Sequence, residues 1–125
     1  MKDESRPGFA IVVEPHHPLA LTVADCLRQR GFEVAVAGTH VGGAALAASH
    51  GQVDCLVAAV PAPGEDHMGA YLAEARETNP NLPVVVMLSD PKENVSDAPK
   101  AAVKIIKPFS VLALAAAIER ALARS

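Results

Sequence analysis

The chain has 125 residues, half of them hydrophobic, and a formal net charge of −3. This length predicts one domain with a sizeable core, and the charge provides no basic surface that would attract nucleic acid. With only 3% aromatic residues, the core must be built from Ala, Val, Leu and Ile. We expect residues 1–8 to be a flexible, polar N-terminus without the apolar stretch of a secretory signal, and residues 9–125 to form a single domain.

Apolar runs alternate with helical patterns along the rest of the chain. The predicted strands are residues 9–13, 33–37, 55–60, 83–88 and 103–106. The predicted helices are residues 18–30, 41–50, 68–78 and a last helix that begins after Ser110, a potential N-cap. Gly31 stands where a helix C-cap glycine is favoured. This order is typical of an α/β protein with a parallel sheet and helices on both faces.

Two segments depart from the regular alternation. Residues 90–102 are polar and contain two prolines, and only residues 92–97 could form a helical turn. We therefore expect the fourth of five helices to be short or missing. The run 55–60 is apolar throughout, which favours a central strand that is covered on both faces.

The last helix carries two apolar rows. The first is predicted to face the core and comprises Val111, Ala115, Ile118 and Leu122. The second makes the apolar arc wider than one core face requires and comprises Leu112, Ala116 and Ala123. With a reduced fourth helix, this second row is a candidate interaction face. The alternative is that alanine is present only because it is a good helix former.

Two cysteines, Cys26 and Cys55, lie within apolar runs. This position favours buried thiols in a reducing compartment over a disulfide. No stretch is long and apolar enough to span a bilayer, so we expect a cytoplasmic protein without membrane contact.

Five short segments, taken in their order and spacing, resemble the receiver domain of two-component response regulators over essentially the whole chain. The segments are residues 11–14 with Pro18, 31–34, 54–57 with Pro63-Gly64, 81–86 and 107–109. The resemblance implies a flavodoxin-like, doubly wound sheet of five parallel strands in the order 2-1-3-4-5. It also implies a part in bacterial phosphorelay signal transduction.

The resemblance also indicates which phosphotransfer groups this sequence lacks. Receiver domains hold Mg²⁺ with an acidic pair after the first strand, and these positions fall on Glu14 and Pro15. Their phosphorylated aspartate ends the third strand and falls on Ala59. Proline and alanine offer neither a metal ligand nor a phosphoryl acceptor. We therefore predict a degenerate pocket that has lost Mg²⁺ binding and aspartyl phosphorylation.

Of the remaining pocket positions, one keeps the family's residue, one has lost it and one is ambiguous. The family's Thr or Ser after the fourth strand falls on Leu88 by strict spacing, or on Ser89 with a shift of one residue. Its aromatic switch residue falls on Lys104, and its lysine is retained as Lys107, with a cis bond to the following proline implied. Because an unpaired charge is costly to bury, we predict that Lys107 pairs with Glu14. The alternative is a Lys107 side chain that points to solvent.

The sequence thus predicts an atypical receiver domain that acts through protein–protein contacts, independently of its own phosphorylation. The expected partner is a histidine kinase, a phosphotransfer protein or another regulator, or a second copy in a self-dimer. The alternative is a small-ligand or metal-binding sensor that uses Glu14, His16, His17 and Lys107. A third possibility is a regulatory module of a longer protein. No nucleophile, base and orienting group meet at the strand ends, so we expect no enzyme activity and no cofactor.

Overall fold

The computed structural model describes residues 8–50, 52–59, 79, 81–90 and 102–124. The predicted helix at 68–78, the reduced fourth helix between 91 and 101, and the chain before Gly8 lie outside these residues. So does Val60, the predicted end of the third strand.

Five parallel strands form one sheet in the order β2-β1-β3-β4-β5, which confirms the predicted architecture. The strands are β1 (Phe9–Val13), β2 (Glu33–Ala37), β3 (Cys55–Ala59), β4 (Val84–Leu88) and β5 (Val103–Ile106). The three inner strands are buried along their whole length, which explains their uniformly apolar sequences. The two edge strands are partly exposed, and they carry the charged residues of the sheet, Glu33 and Lys104.

Three helices are described, α1 (His17–Arg28), α2 (His40–His50) and α3 (Val111–Arg124). The Ser110 hydroxyl accepts a hydrogen bond from the Ala113 N–H at 3.0 Å, which confirms the predicted N-cap. Thr39 caps α2 in the same way through the Gly42 N–H at 3.1 Å. After α1, Gly31 has a φ of +91°, which only glycine adopts without strain, and the chain then turns into β2.

The helices cover both faces of the sheet. On one face α1 and α3 pack over the inner strands, with Val23, Leu27 and Leu114 in the core. On the other face α2 contributes Ala47. An ion pair between Arg30 and Glu119, 2.7 Å apart, joins the turn after α1 to α3.

The predicted core row of the last helix is confirmed only at Ile118, which is fully buried. Val111 is 57% exposed, and Ala115 and Leu122 are only partly buried. The buried row comprises Leu114, Ala117, Ile118 and Ala121. Alanine occurs on every side of this helix, so few polar residues mark the side that faces solvent. The apolar pattern alone therefore does not determine which side faces the sheet.

Both cysteines are free and buried, as predicted. Burial raises the pKa of the Cys55 thiol to about 12 and also raises that of Cys26. Within the described part of the chain, no helix is long and apolar enough to cross a membrane.

Candidate functional site

The candidate site lies at the carboxyl edge of the sheet, where the parallel strands all end. Glu14 directly follows β1, Ala59 is the last residue of β3, and Lys107 directly follows β5. Ligand sites of doubly wound sheets lie at this edge.

An ion pair between Glu14 and Lys107 dominates this edge. Lys107 Nζ lies 2.6 Å from Glu14 Oε1, which confirms the predicted pairing and rules out the solvent-exposed alternative for Lys107 in this structure. Glu14 Oε2 accepts a hydrogen bond of 2.9 Å from the backbone N–H of His16. The Glu14 side chain is 1% exposed and that of Lys107 is 24% exposed. The Lys107 ammonium balances the charge of this carboxylate, and Oε1 has no other partner among the described residues.

The pair spans strands that are not neighbours. β3 and β4 lie between β1 and β5, and three strand spacings amount to roughly 14 Å. The two side chains therefore meet above the ends of the inner strands. Glu14 is longer than an aspartate by one methylene, which extends its reach across the strand ends.

The other predicted pocket residues provide few polar groups. Pro15 is exposed and Ala59 is buried, and neither side chain carries an oxygen. Among the described residues, no group of three or more His, Cys, Asp and Glu side chains is arranged to hold a metal ion.

The remaining predicted site residues, Leu88, Ser89 and Lys104, lie on or next to the fourth and fifth strands. Leu88 ends β4 with its side chain in the core, whereas Ser89 is exposed directly beyond the strand. Ser89, rather than Leu88, therefore lies at the open edge of the site. Lys104 is exposed on β5, where it pairs in register with Val86. The Lys107-Pro108 bond is cis, as the resemblance implies.

His40 is a residue of the site that the sequence interpretation missed. It is the first residue of α2, it is buried, and its Nε2 lies 2.7 Å from the backbone oxygen of Ala59. Because a carbonyl oxygen only accepts, Nε2 carries the hydrogen and donates it. The bond ties the start of α2 to the end of β3. Its sequence signal was a histidine just beyond a predicted strand end, close to Gly38.

A groove of about 330 Å³ borders the ion pair. One wall is the start of α1 and the other is the loop between β5 and α3. It is lined by His16, Pro18, Leu19, Thr22, Lys107, Pro108 and Phe109. His17 is exposed and does not line it, so the four residues of the alternative ligand pocket are only partly brought together.

Comparison with solved structures identifies the architecture. A response regulator receiver protein from Sinorhizobium medicae is similar with a TM-score of 0.81 and 21% identity, covering 98% of this chain and 100% of that one. The chain has the receiver-domain fold.

Two further receiver structures agree. The receiver domain of the hybrid histidine kinase CckA is 24% identical, with a TM-score of 0.71, and the match covers 92% of this chain and 99% of that one. The chemotaxis protein CheY4 of Vibrio cholerae is 18% identical, with a TM-score of 0.72, and the match covers 94% of this chain and 100% of that one. No protein-family profile matches the chain, and no curated protein matches it in sequence.

Proposed function

We propose that this protein is a phosphorylation-independent receiver module of two-component signalling in the bacterial cytoplasm, and that it acts by contact with other proteins. The observation that carries the proposal is the ion pair between Glu14 and Lys107. The resemblance to receiver domains implies that this lysine normally meets a phosphoryl group. Here a carboxylate of the chain itself neutralises the lysine, so the pocket needs no phosphate to complete it.

The same geometry argues against Mg²⁺. Both oxygens of Glu14 already have partners, and Pro15 and Ala59 supply none. Mg²⁺ demands near-octahedral oxygen coordination at about 2.1 Å, and the residues present do not fit it. Without a metal, the charge of a transferring phosphoryl group is not neutralised. We therefore propose that the chain binds no Mg²⁺ here, accepts no aspartyl phosphate and has no enzyme activity.

The decisive experiment measures intact mass after incubation with acetyl phosphate and Mg²⁺. We expect no phosphoryl adduct on the protein, or on an Ala59→Asp variant, because the restored acceptor still lacks the metal ligands. An ordinary receiver domain treated in parallel is the positive control. An amide NMR titration with Mg²⁺ and then beryllofluoride should leave Glu14, Ala59 and Lys107 unshifted. A stable adduct on the unmodified chain, or saturable shifts at these residues, would refute the proposal.

The outer side of α3 supports the protein–protein part of the proposal. The predicted interaction residues Leu112, Ala116 and Ala123 are all exposed, Leu112 to 83%. Val111, next to Leu112 in the chain, is also exposed. Ile106, at the end of β5, is exposed too, but it pairs in register with Leu88, which faces the α2 side of the sheet. Contiguous exposed apolar patches are typical of surfaces that bind a partner.

The charges near this surface favour a partner that is acidic. Glu119, on the same side of α3, is already paired with Arg30. The remaining cations are Arg120, one helical turn beyond Ala116, and Lys104, exposed on the edge strand β5. Neither cation has a partner among the described residues. A symmetric dimer through this face would bring like charges together, because the same patch is used by both copies. We therefore assign the face to another signalling protein whose docking surface is acidic and apolar.

Sedimentation velocity over a range of protein concentrations tests this assignment. We expect a monomer throughout. A dimer that is lost in Leu112→Asp and retained in Val41→Asp, at another exposed apolar position on α2, would instead assign the face to self-association.

The second candidate function is a small-ligand sensor. The metal version of this alternative has little support, because Glu14 is buried in its ion pair and the His17 ring is exposed. The small-ligand version is favoured by one observation, the groove between α1 and the loop that precedes α3.

A further inference from the structure

The groove beside Lys107 combines an apolar surface with a positive end. Pro18, Leu19, Pro108 and Phe109 supply hydrocarbon, and Lys107 and His16 supply the groups that can be cationic. Its volume of about 330 Å³ lies within the range of small-molecule sites, roughly 300–1,000 Å³, which are mostly apolar with a few polar groups.

The groove presents positive charge because the anionic partner of Lys107 is buried below its surface. Glu14, the anionic partner of Lys107, is buried and does not line the groove. Lys107 is 24% exposed, so part of its side chain remains accessible. An ammonium has three N–H donors, which leaves capacity beyond the contact with Glu14. No acidic side chain is among the described residues that line the groove.

We propose that this groove binds a small aromatic or aliphatic acid, with its apolar body against Phe109 and Leu19 and its anionic group against Lys107 and His16. The inference develops the small-ligand candidate and does not depend on the loss of phosphorylation. The bound acid gives Lys107 a second anion, which competes with Glu14. Occupancy of the groove is thereby coupled to the ion pair at the strand ends.

Amide NMR titration with 2-naphthoate as the probe tests the proposal, with 2-naphthol as the uncharged control. We expect saturable shifts at Leu19, Thr22 and Phe109, and binding of naphthoate at least tenfold tighter than that of naphthol. Equal binding of the two probes would overturn the anionic part of the proposal. Absence of saturable shifts at these residues would overturn the site itself.

Two variants on neighbouring positions locate the probe. Thr22→Phe fills the groove and should weaken naphthoate binding at least tenfold. Leu21→Phe adds an aromatic ring at the preceding position, which is exposed but does not line the groove, and should leave binding unchanged. Equal effects of the two variants would contradict the assignment.

A measurement on the unmodified protein makes the test independent of variant folding. Nuclear Overhauser contacts between naphthoate protons and the Phe109 ring are expected. Contacts only to other parts of the surface would reject the site. These outcomes do not depend on whether acetyl phosphate phosphorylates the protein.

Discussion

Replacing Lys107 by methionine should destabilise the protein strongly, because it leaves the buried Glu14 carboxylate without a counter-charge. At the 2.6 Å separation of Nζ and Oε1, the gross attraction is roughly 6 kcal/mol for an effective dielectric constant of about 20. Desolvation of the two ions offsets much of this attraction. Breaking one partner of a buried pair costs about 3–5 kcal/mol, and the partial exposure of Lys107 places our expectation near 3 kcal/mol.

Urea unfolding at pH 7 measures this effect, and Lys104→Met is the matched control. Lys104 is exposed on β5, three residues before Lys107, and has no partner among the described residues. Its loss should therefore change the free energy of unfolding by less than about 0.5 kcal/mol. Combining Lys107→Met with Glu14→Gln removes both charges and should recover about 2 kcal/mol of the loss. If Lys107→Met were no more destabilising than Lys104→Met, the carboxylate would not depend on this ion pair, and the reasoning would fail.

Three further outcomes follow from burial and backbone geometry. Cys26 and Cys55 should not react with Ellman's reagent at pH 8 in the folded protein, since burial raises both pKa values and so disfavours the reactive thiolates; prompt reaction before unfolding would contradict their placement. Leu114→Ala should cost about 3 kcal/mol in urea unfolding and Leu112→Ala less than about 0.5 kcal/mol, and reversed values would contradict the rotation of α3 seen in the structure. Gly31→Ala should cost about 1–2 kcal/mol through its left-handed backbone alone, because a methyl group there meets no atom within 4 Å; a neutral effect would argue against that conformation.

Much of the fold was predictable because the strands appear in the sequence as short apolar runs bounded by turn residues. The segments 9–13, 33–37 and 103–106 were predicted with the bounds that the structure has. The ion pair was predictable for a related reason. Glu14 and Lys107 each follow an apolar strand directly, and parallel strands bring such residues to one edge.

Two features were not predictable from the same patterns. The buried side of α3 depends on how Leu114 fits between β4, β5 and α1, and a helix rich in alanine gives little polar contrast to reveal that choice. The burial of His40 depends on the Ala59 carbonyl, 19 residues further along the chain. A tertiary hydrogen bond of this kind has no periodic signature in sequence.

The contact between α1 and α3 has a consequence for how the protein is made. Arg30, two residues beyond α1, and Glu119 of α3 are 89 positions apart in the chain, yet α1 and α3 cover the same face of the sheet. During synthesis, the first strand and helix leave the ribosome long before α3 exists. Until then the apolar side of α1 and the sheet beside it lack part of their cover, so the nascent chain exposes apolar surface. Completion of this face of the fold therefore waits until α3 has been synthesised.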